Sequence, residues 1–319
     1  MTDRILDLSE QPARLSVQNG LLKIQLRLQG DGGAREEEEQ TIPLADLAAV
    51  VVSHPQVSYT QAVLAGLAMA GGIFVACDEK HQPAAMLLPL VSHSLQAERF
   101  ARQAALALPV RKRLWQQIVR SKLAAQARLL RERTNQDWGL PLLAGKVRSG
   151  DPQNLEAHAA RIYWRALFEV NFRRDREAEN LNRHLNYGYA VLRAIVARAV
   201  CAVGLHPALG LHHHNRYDSF CLADDLMEPF RPLVDRAVCV IRDQRGNDAA
   251  FDRDAKREIV SVLLARFDHE GESRTLFDWV SRMASSLAFV AEGSGSKLMI
   301  PVLARRPMAA KPTEDPELS

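Results

Sequence analysis

The chain has 319 residues, of which 47% are hydrophobic and 25% are charged, a composition typical of a globular protein with one large domain or two of ordinary size. No apolar run approaches the ~20 residues that a membrane span requires, and the polar N-terminus lacks the pattern of a secretory signal, so we expect a cytoplasmic protein without membrane contact. The four cysteines are scattered without paired spacing, which predicts buried thiols in a reducing compartment and argues against a zinc ribbon.

Charge is distributed unevenly along the chain. Residues 1–92 contain six Lys and Arg against eleven Asp and Glu, whereas the remainder contains 35 against 27. Residues 93–133 are the most basic segment, with ten Lys and Arg against two Glu. Such a segment suits a polyanion such as DNA, because phosphate contacts release counterions, but a solvated basic helix face explains the charge equally well.

The first 90 residues contain short β-branched or alternating runs such as "ARLSVQNGLLKIQL" and "AAVVVS", punctuated by Asn-Gly and Gly-Asp-Gly-Gly. This pattern predicts strands, with one helix at "SYTQAVLAGLAMAGG" between a Ser/Thr cap and a glycine stop. Glu36–Glu39 is predicted to form a solvated hairpin tip beside the glycines. The sequence thus predicts a small β-rich domain over residues 1–90.

Beyond a linker at about residues 88–96 the apolar period becomes helical. The basic segment contains one proline, Pro109, which predicts two helices or one kinked helix. Further helices are predicted from Asp151-Pro152 onward, over 180–204, around 224–241 and 254–268, and from 274. We therefore predict an α+β chain in which the β-rich domain precedes a larger all-α C-terminal catalytic domain over residues 91–305, with a disordered tail at 306–319.

Glu156 is the first candidate for chemistry. On its predicted helix it shares a face with Ala160, Tyr163, Leu167 and Val170. A carboxylate on such an apolar stripe is costly to ionise unless it is paired with a cation or a metal ion. The alternative is a salt bridge at the edge of the stripe, to Arg161 or Arg165.

Three consecutive histidines, His212, His213 and His214, form the second candidate. Consecutive side chains cannot all point the same way, so at most one or two of them can serve a single site. Imidazole is a ready metal ligand near neutral pH. The alternative is a loop with one hydrogen-bonded histidine and two exposed ones.

Asp224, Asp225 and Glu228 are the third candidate. Asp225 and Glu228 have the spacing of a capping box, a purely structural device, and Arg231 could pair with Glu228. The same spacing places two carboxylates on one side of a helix start, where they can hold a hard cation. Carboxylates with one imidazole suit Mg²⁺ or Mn²⁺ better than zinc, and a hard cation near a basic surface indicates chemistry on a phosphodiester.

Four blocks of the sequence, taken in order, resemble the CRISPR-associated integrase family, the core proteins of spacer acquisition. They are "DPQNLEAHAARIYW" at 151–164, "NLNRHLNYGYAVLRA" at 180–194, "GLHPALGLHH" at 204–213 and "LADDLMEPFRP" at 222–232. The resemblance covers nearly the whole chain. The opening of the sequence and the "DLMEPFRP" block are most similar to the version that accompanies type II systems.

The resemblance implies a metal-dependent integrase and endonuclease that inserts captured DNA fragments into a CRISPR repeat array by attack of a 3′-hydroxyl. It implies that Glu156, His213 and Glu228 bind Mg²⁺ or Mn²⁺ and carry catalysis, with Asp225 as an accessory acid. It also implies a homodimer that assembles with the small second adaptation protein on double-stranded DNA. The residues that we then expect to contact DNA are Arg111, Lys112, Arg113, Arg120 and Lys122.

Two points stay open at this stage. Counting from Gly210 selects His213 as the ligand, but His212 and His214 are the flanking alternatives. The competing functions are a non-catalytic DNA-binding scaffold, for which the acids and the imidazole have no chemical role, and a zinc hydrolase built on the histidine triplet.

Overall fold

The computed structural model describes residues 4–29, 35–78, 83–89, 93–168, 172–175 and 177–305. The tail predicted at residues 306–319 lies outside the described residues. The strands are β1 (Arg4–Leu8), β2 (Ala13–Gln18), β3 (Leu21–Gln29), β4 (Arg35–Pro43), β5 (Leu47–Val52), β6 (Ser58–Tyr59), β7 (Ile73–Cys77), β8 (Pro83–Leu87), β9 (Arg266–His269), β10 (Glu272–Thr275) and β11 (Ala304–Arg305). The helices are α1 (Gln61–Met69), α2 (Gln96–Ala104), α3 (Leu108–Thr134), α4 (Leu140–Lys146), α5 (Leu155–Leu167), α6 (Leu181–Ala202), α7 (Cys221–Met227), α8 (Arg231–Arg245), α9 (Arg253–Leu263) and α10 (Leu276–Ala291).

Two four-stranded sheets and α1 form the N-terminal part of the chain, in line with the predicted β-rich region. One sheet has the order β4-β3-β2-β6 and the other β1-β5-β7-β8. The run "LAAVVV" of β5 is buried along its whole length, as expected for a strand covered on both faces. Val50 and Val52 point into the N-terminal core, whereas Ala49 and Val51 pack with Ala194 of α6.

The glutamate run lies elsewhere than predicted. Glu36–Glu39 is part of β4 and pairs with residues 25–28 of β3, so it is not a hairpin tip. β4 is the edge strand of its sheet, and exposed charges there, such as Glu38 and Glu39, discourage pairing with other chains. Glu39 also forms an ion pair with Lys23 across the two strands at 2.8 Å.

Helices form most of the C-terminal part, and α6 packs against four of them, α7, α8, α9 and α10. The basic segment is two helices, α2 and α3, with Pro109 in the first turn of α3, where its missing N–H costs nothing. The helix predicted around 224–241 is interrupted. α7 ends at Met227, a 3₁₀ turn covers Glu228–Phe230 with Pro229 inside it, and α8 follows.

The prediction of an all-α C-terminal region is wrong, because β9, β10 and β11 form a small antiparallel sheet in the order β10-β9-β11. α9 ends at Leu263, several residues before the predicted end of that helix. Glu270 and Gly271 connect β9 to β10, and both have positive φ angles, 49° and 83°. This geometry belongs to a two-residue hairpin turn whose twist matches that of the paired strands.

The N-terminal part is fastened to α6 and α9 by polar contacts as well as by packing. Arg198 of α6 donates from Nε to the carbonyl of Gly71 at 2.7 Å, and Lys256 of α9 lies 3.1 Å from Glu10. α6 therefore contacts the N-terminal sheet on one side and α7 on another, and α7 carries part of the candidate site. A helix with the length and apolarity to cross a membrane is absent from the described part of the chain.

Candidate functional site

Glu156 lies in the first turn of α5. The carboxylate of Asp151 accepts hydrogen bonds from the backbone N–H of Leu155 at 3.0 Å and of Glu156 at 2.9 Å, so the helix start is capped from four residues upstream. The helix begins three residues later than the Asp-Pro pair suggests. Glu156 pairs with Lys122, whose Nζ lies 2.5 Å from Oε1, and not with either predicted arginine.

Lys122 of α3 is the charge at the centre of the site. Its Nζ lies 2.5 Å from Glu156 Oε1 and 2.6 Å from Glu228 Oε2, and the residue is only 8% exposed. Burial alone would lower the pKa of Lys122, but the charges of Glu228 and Glu156 outweigh burial and raise it. Lys122 was expected to contact DNA at a surface, and the structure places it instead between two of the predicted catalytic carboxylates.

Glu228 is buried in the 3₁₀ turn between α7 and α8. Arg231 lies 3.0 Å from its Oε1, which is the pairing that the sequence suggested. Burial alone would raise the pKa of Glu228, but the charges of Arg231 and Lys122 outweigh burial and lower it. Lys122 forms a close ion pair with the other carboxylate oxygen, Oε2, at 2.6 Å.

Asp225 organises the histidine loop. It is fully buried inside α7, which rules out the capping-box interpretation. Its carboxylate accepts hydrogen bonds from the backbone N–H of Leu211 at 2.6 Å, of His212 at 2.9 Å and of His213 at 3.2 Å. It also lies 2.6 Å from Nδ1 of His213. Four interactions thus hold the loop onto α7.

The structure gives the three histidines different environments. His212 stacks on Trp115 with ring centroids 4.2 Å apart, and burial lowers its pKa. The hydrogen bond to Asp225 raises the pKa of His213, and the charges of Glu228 and Glu156 raise it further. His214 is exposed. Of the three, His213 is the one whose ring nitrogen Nδ1 is held by Asp225, at 2.6 Å.

Glu156, Glu228 and His213 are residue types that bind a hard divalent cation, although their side chains do not form a complete coordination site. Among the described residues no group of three or more His, Cys, Asp or Glu side chains has the arrangement of a metal site. Glu156 and Glu228 nevertheless meet at one positive charge, with an oxygen of each carboxylate within 2.6 Å of Lys122 Nζ. With Nδ1 of His213 held by Asp225, Nε2 is the ring nitrogen left to bind a metal.

The other predicted DNA-contacting residues lie along the first half of α3. Lys112, Arg113 and Arg120 are exposed and Arg111 is half-buried, and none of them pairs with a carboxylate in the part of the chain that the structure describes. Arg120 donates to the carbonyl of Val147 at 2.8 Å, in the loop that leads to α5. Arg120 therefore lies beside the segment that precedes Glu156.

Comparison with known proteins identifies relatives over nearly the whole chain. The family model described as "CRISPR associated protein Cas1" matches residues 6–267. A CRISPR-associated endonuclease Cas1 of Neisseria meningitidis serogroup C (strain 8013) is 35% identical over 295 residues, which are 90% of this chain and 95% of that protein.

Two solved structures share the fold. A casposase bound to integration product superimposes with a TM-score of 0.75 at 20% identity, covering 93% of this chain and 92% of that one. A chain of a Cas6-RT-Cas1--Cas2 complex gives a TM-score of 0.71 at 19% identity, covering 93% of this chain and 36% of that longer chain. At these identities the likeness concerns the fold alone.

Proposed function

This chain belongs to the Cas1 family of CRISPR-associated proteins, and we propose that it is a metal-dependent DNA integrase that inserts captured DNA fragments into a CRISPR repeat array. The 3′-hydroxyl oxygen of a fragment attacks a phosphorus in the repeat strand. A new P–O bond forms, the existing bond to the 3′-oxygen breaks, and the leaving 3′-oxygen takes up the proton that the attacking hydroxyl gives up. With water as the attacking group the same site would nick DNA.

The observation that carries this proposal is the meeting of Glu156 and Glu228 at Lys122. The two carboxylates come from α5 and from the turn after α7, and they converge on Lys122 within 2.6 Å. Carboxylates repel phosphate, so a surface that only binds DNA gains nothing from placing two of them together next to basic residues. A site that positions a cation for phosphoryl transfer requires such carboxylates.

Each residue has a distinct role in the proposed mechanism. Glu156, Glu228 and His213 would hold Mg²⁺ or Mn²⁺, which when bound supplies charge stabilisation to the attacking, leaving and phosphoryl oxygens. Asp225 orients His213 through Nδ1 and holds its loop in place. Lys122 keeps the two carboxylates together and competes with the ion for them.

DNA and protein partners complete the proposal. Lys112, Arg113 and Arg120 would contact phosphates without reading bases, which suits a protein that inserts fragments of many sequences. A chain of a Cas6-RT-Cas1--Cas2 complex shares this fold, and we propose that the present chain acts as a homodimer together with Cas2. The version that accompanies type II systems remains the predicted subtype.

The alternative function, a non-catalytic DNA-binding scaffold, is favoured by one observation. Lys122 already neutralises part of the negative charge of Glu156 and Glu228, so the pair is also explicable as a structural ion network. The two functions differ in their dependence on a metal ion and on the carboxylates.

An integration assay separates the two functions. Supercoiled plasmid with the repeat array is incubated with a labelled fragment, Cas2 and either Mg²⁺ or Mn²⁺, and joined strands are counted. Glu156→Gln, His213→Ala and Glu228→Gln should each reduce joining by at least about 100-fold while DNA affinity stays within about threefold. Glu98→Gln, an exposed carboxylate on α2, is the matched control and should join normally. Joining that survives chelation or these substitutions would favour the scaffold.

A further inference from the structure

A cleft of about 450 Å³ lies on the outer side of α5, away from the catalytic residues. It is lined by Trp138, His158, Arg161, Ile162, Arg165 and Ala166. Its volume lies within the range of about 300 to 1,000 Å³ typical of small-molecule sites. The lining combines one indole with basic side chains and an apolar floor.

Trp138 is an exposed and fixed aromatic ring. It is 49% exposed, whereas Trp115 and Trp279 are buried and Trp164 is partly buried. Its Nε1 donates to Thr134 Oγ1 at 3.1 Å, which holds the ring at the end of α3. The residue also has a φ of 54°, a conformation that bulky residues rarely adopt and that, where it persists, often marks a functional position.

The basic side chains of the cleft have no carboxylate partner within the described part of the chain. His158, Arg161 and Arg165 are exposed on α5, and neither arginine pairs with a carboxylate of the described residues. Arg161 and Arg165 are four residues apart, so they lie one turn apart on the same helix face. Two free cations beside an exposed indole complement a phosphate next to a flat base.

We propose that this cleft binds an unpaired nucleotide of the DNA substrate, with the base stacked on Trp138 and its phosphates paired with Arg161 and Arg165. An unpaired base exposes a face to an indole, whereas the faces of base pairs inside a duplex are covered by their neighbours. The inference rests on the proposed function in one respect, the choice of DNA as the polymer.

The position of the cleft fits this assignment. Glu156 and the arginines share α5, and Arg161 and Arg165 follow Glu156 by about 8 and 14 Å along the helix axis at 1.5 Å per residue. The arginines and Trp138 lie on the side of the helix opposite the buried Tyr163, which shares the face of Glu156. The cleft and Glu156 therefore lie on opposite sides of the same helix, which separates the proposed base-binding site from the catalytic carboxylates.

Binding of short oligonucleotides in metal-free buffer tests the proposal without any integration step. A labelled single-stranded oligonucleotide and a blunt duplex of the same length are titrated with the protein, and intrinsic tryptophan fluorescence is recorded in parallel. Wild type should show quenching of tryptophan emission with the single strand, and Trp138→Phe should lose most of that quenching. Trp138→Ala should weaken single-strand binding roughly 5- to 150-fold while duplex affinity stays unchanged.

Further variants separate the contribution of stacking from that of charge and supply a control outside the cleft. Trp138→Phe should retain most single-strand affinity because phenylalanine still stacks, and Arg161→Gln with Arg165→Gln should weaken binding and reduce its salt dependence. Leu142→Ala removes a 74% exposed apolar side chain of α4 outside the cleft and should change nothing. Each variant is first checked for an unchanged circular dichroism spectrum and melting temperature.

Two results would overturn the proposal. The first is equal single-strand affinity of wild type and Trp138→Ala. The second is that Trp138→Ala loses Cas2 binding or self-association while its single-strand affinity is unchanged. The second result would make the cleft a protein-docking surface. The outcome is separable from that of the integration assay. Stacking by a wild type that joins no strands would contradict only the integrase function, and normal joining without stacking would contradict only the cleft.

Discussion

Lys122 shows how a single buried charge can be misjudged at the residue scale. Trp115, Ile118, Val119 and Lys122 form one buried stripe of α3 with helical spacing. Glu156 is a candidate because it is a charge on an apolar stripe, and the same reasoning applies to Lys122. Its basic neighbours in sequence concealed that signal, since a lysine among arginines suggests a solvated face.

Replacing Lys122 with the neutral Met should destabilise the protein when no metal ion is present. The substitution leaves Glu156 and the buried Glu228 facing each other without the cation between them, which costs about 3 to 5 kcal/mol. Mn²⁺ should then stabilise Lys122→Met more than wild type, because the ion replaces the lost positive charge. The measurement is the free energy of unfolding in chelator and in Mn²⁺.

The control for this prediction is Lys112→Met, an exposed lysine of the same helix. It should change the free energy of unfolding by less than about 0.5 kcal/mol in either buffer. An equal gain from Mn²⁺ in wild type and in Lys122→Met would contradict the idea that the lysine and the ion compete for the same carboxylates.

Asp235 of α8 should make stability depend on pH. Tyr163 donates a hydrogen bond to it at 2.6 Å and Tyr189 donates another, but burial prevails and raises the pKa of Asp235 from 3.8 to about 6. The folded state therefore holds a proton that the unfolded state releases. The stabilisation is present below pH 3.8 and is lost as the pH rises through about 6.

The measurement for Asp235 is urea unfolding at several pH values between about 3.5 and 7 for wild type and Asp235→Asn. Relative to the variant, wild type should lose on the order of 3 kcal/mol of unfolding free energy across this window. Parallel pH profiles for the two proteins would show that Asp235 titrates alike in the folded and unfolded states.

At the scale of elements, sequence patterns predicted the type of most segments but not where they break. The strands and α1 of the N-terminal part followed from alternation and turn residues. The Asp225–Glu228 spacing matched a capping box, yet Asp225 lies inside α7 because the 3₁₀ turn begins only at Glu228. The hairpin of β9 and β10 was missed because "RFDHEGESRT" is short and charged, and only its Glu-Gly turn indicates it.

The meeting of the candidate site residues in space could also be predicted only in part from the sequence. The resemblance selected Glu156, His213 and Glu228, and the structure brings the two acids together at Lys122. The hydrogen bonds from three backbone N–H groups to Asp225 depend on a loop that folds back by more than ten residues. No periodicity in the sequence encodes such a contact.

Gly188 should be required for the packing of α6 against α8 and α9. A Cβ atom at this position would lie 2.3 Å from Val234 Cγ1 and 2.9 Å from Ile259 Cγ2, both in buried side chains. Gly188→Ala should therefore lower the free energy of unfolding by about 1 to 3 kcal/mol through overpacking. Chemical unfolding measures the change.

Gly145→Ala is the matched control, since Gly145 is also helical but a Cβ atom added there would meet no other atom within 4 Å. Alanine has the higher helix propensity, so this variant should be neutral or more stable by up to about 1 kcal/mol. A similar loss in both variants would mean that close packing at Gly188 is not the cause.

At the scale of the whole molecule, the basic segment is less basic than its sequence indicates. Carboxylates from other parts of the chain neutralise several of its arginines: Arg99 pairs with Glu292, Arg131 with Asp137 and Arg133 with Asp243. Local charge counting cannot detect acids that distant helices supply, as for Arg99 and Arg133. The cations left for DNA are concentrated near the start of α3.

This distribution predicts which residues govern the salt dependence of DNA binding. Lys112, Arg113 and Arg120 are exposed and lack a carboxylate partner among the described residues, so each is free to displace a counterion from a phosphate. Replacing each with Gln should reduce the slope of log affinity against log salt by about 0.9 per contact, for all DNA sequences alike. Anisotropy titrations of a labelled duplex at several salt concentrations give the slope.

Arg131→Gln provides the control, because Asp137 already neutralises that arginine at 2.6 Å. Its removal should leave both the slope and the affinity near those of wild type. If instead Arg131 and the three unpaired cations lowered the slope equally, DNA would have to lie along the whole of α3. The pairing with carboxylates would then fail to decide where the polyanion binds, and only the number of positive charges would matter.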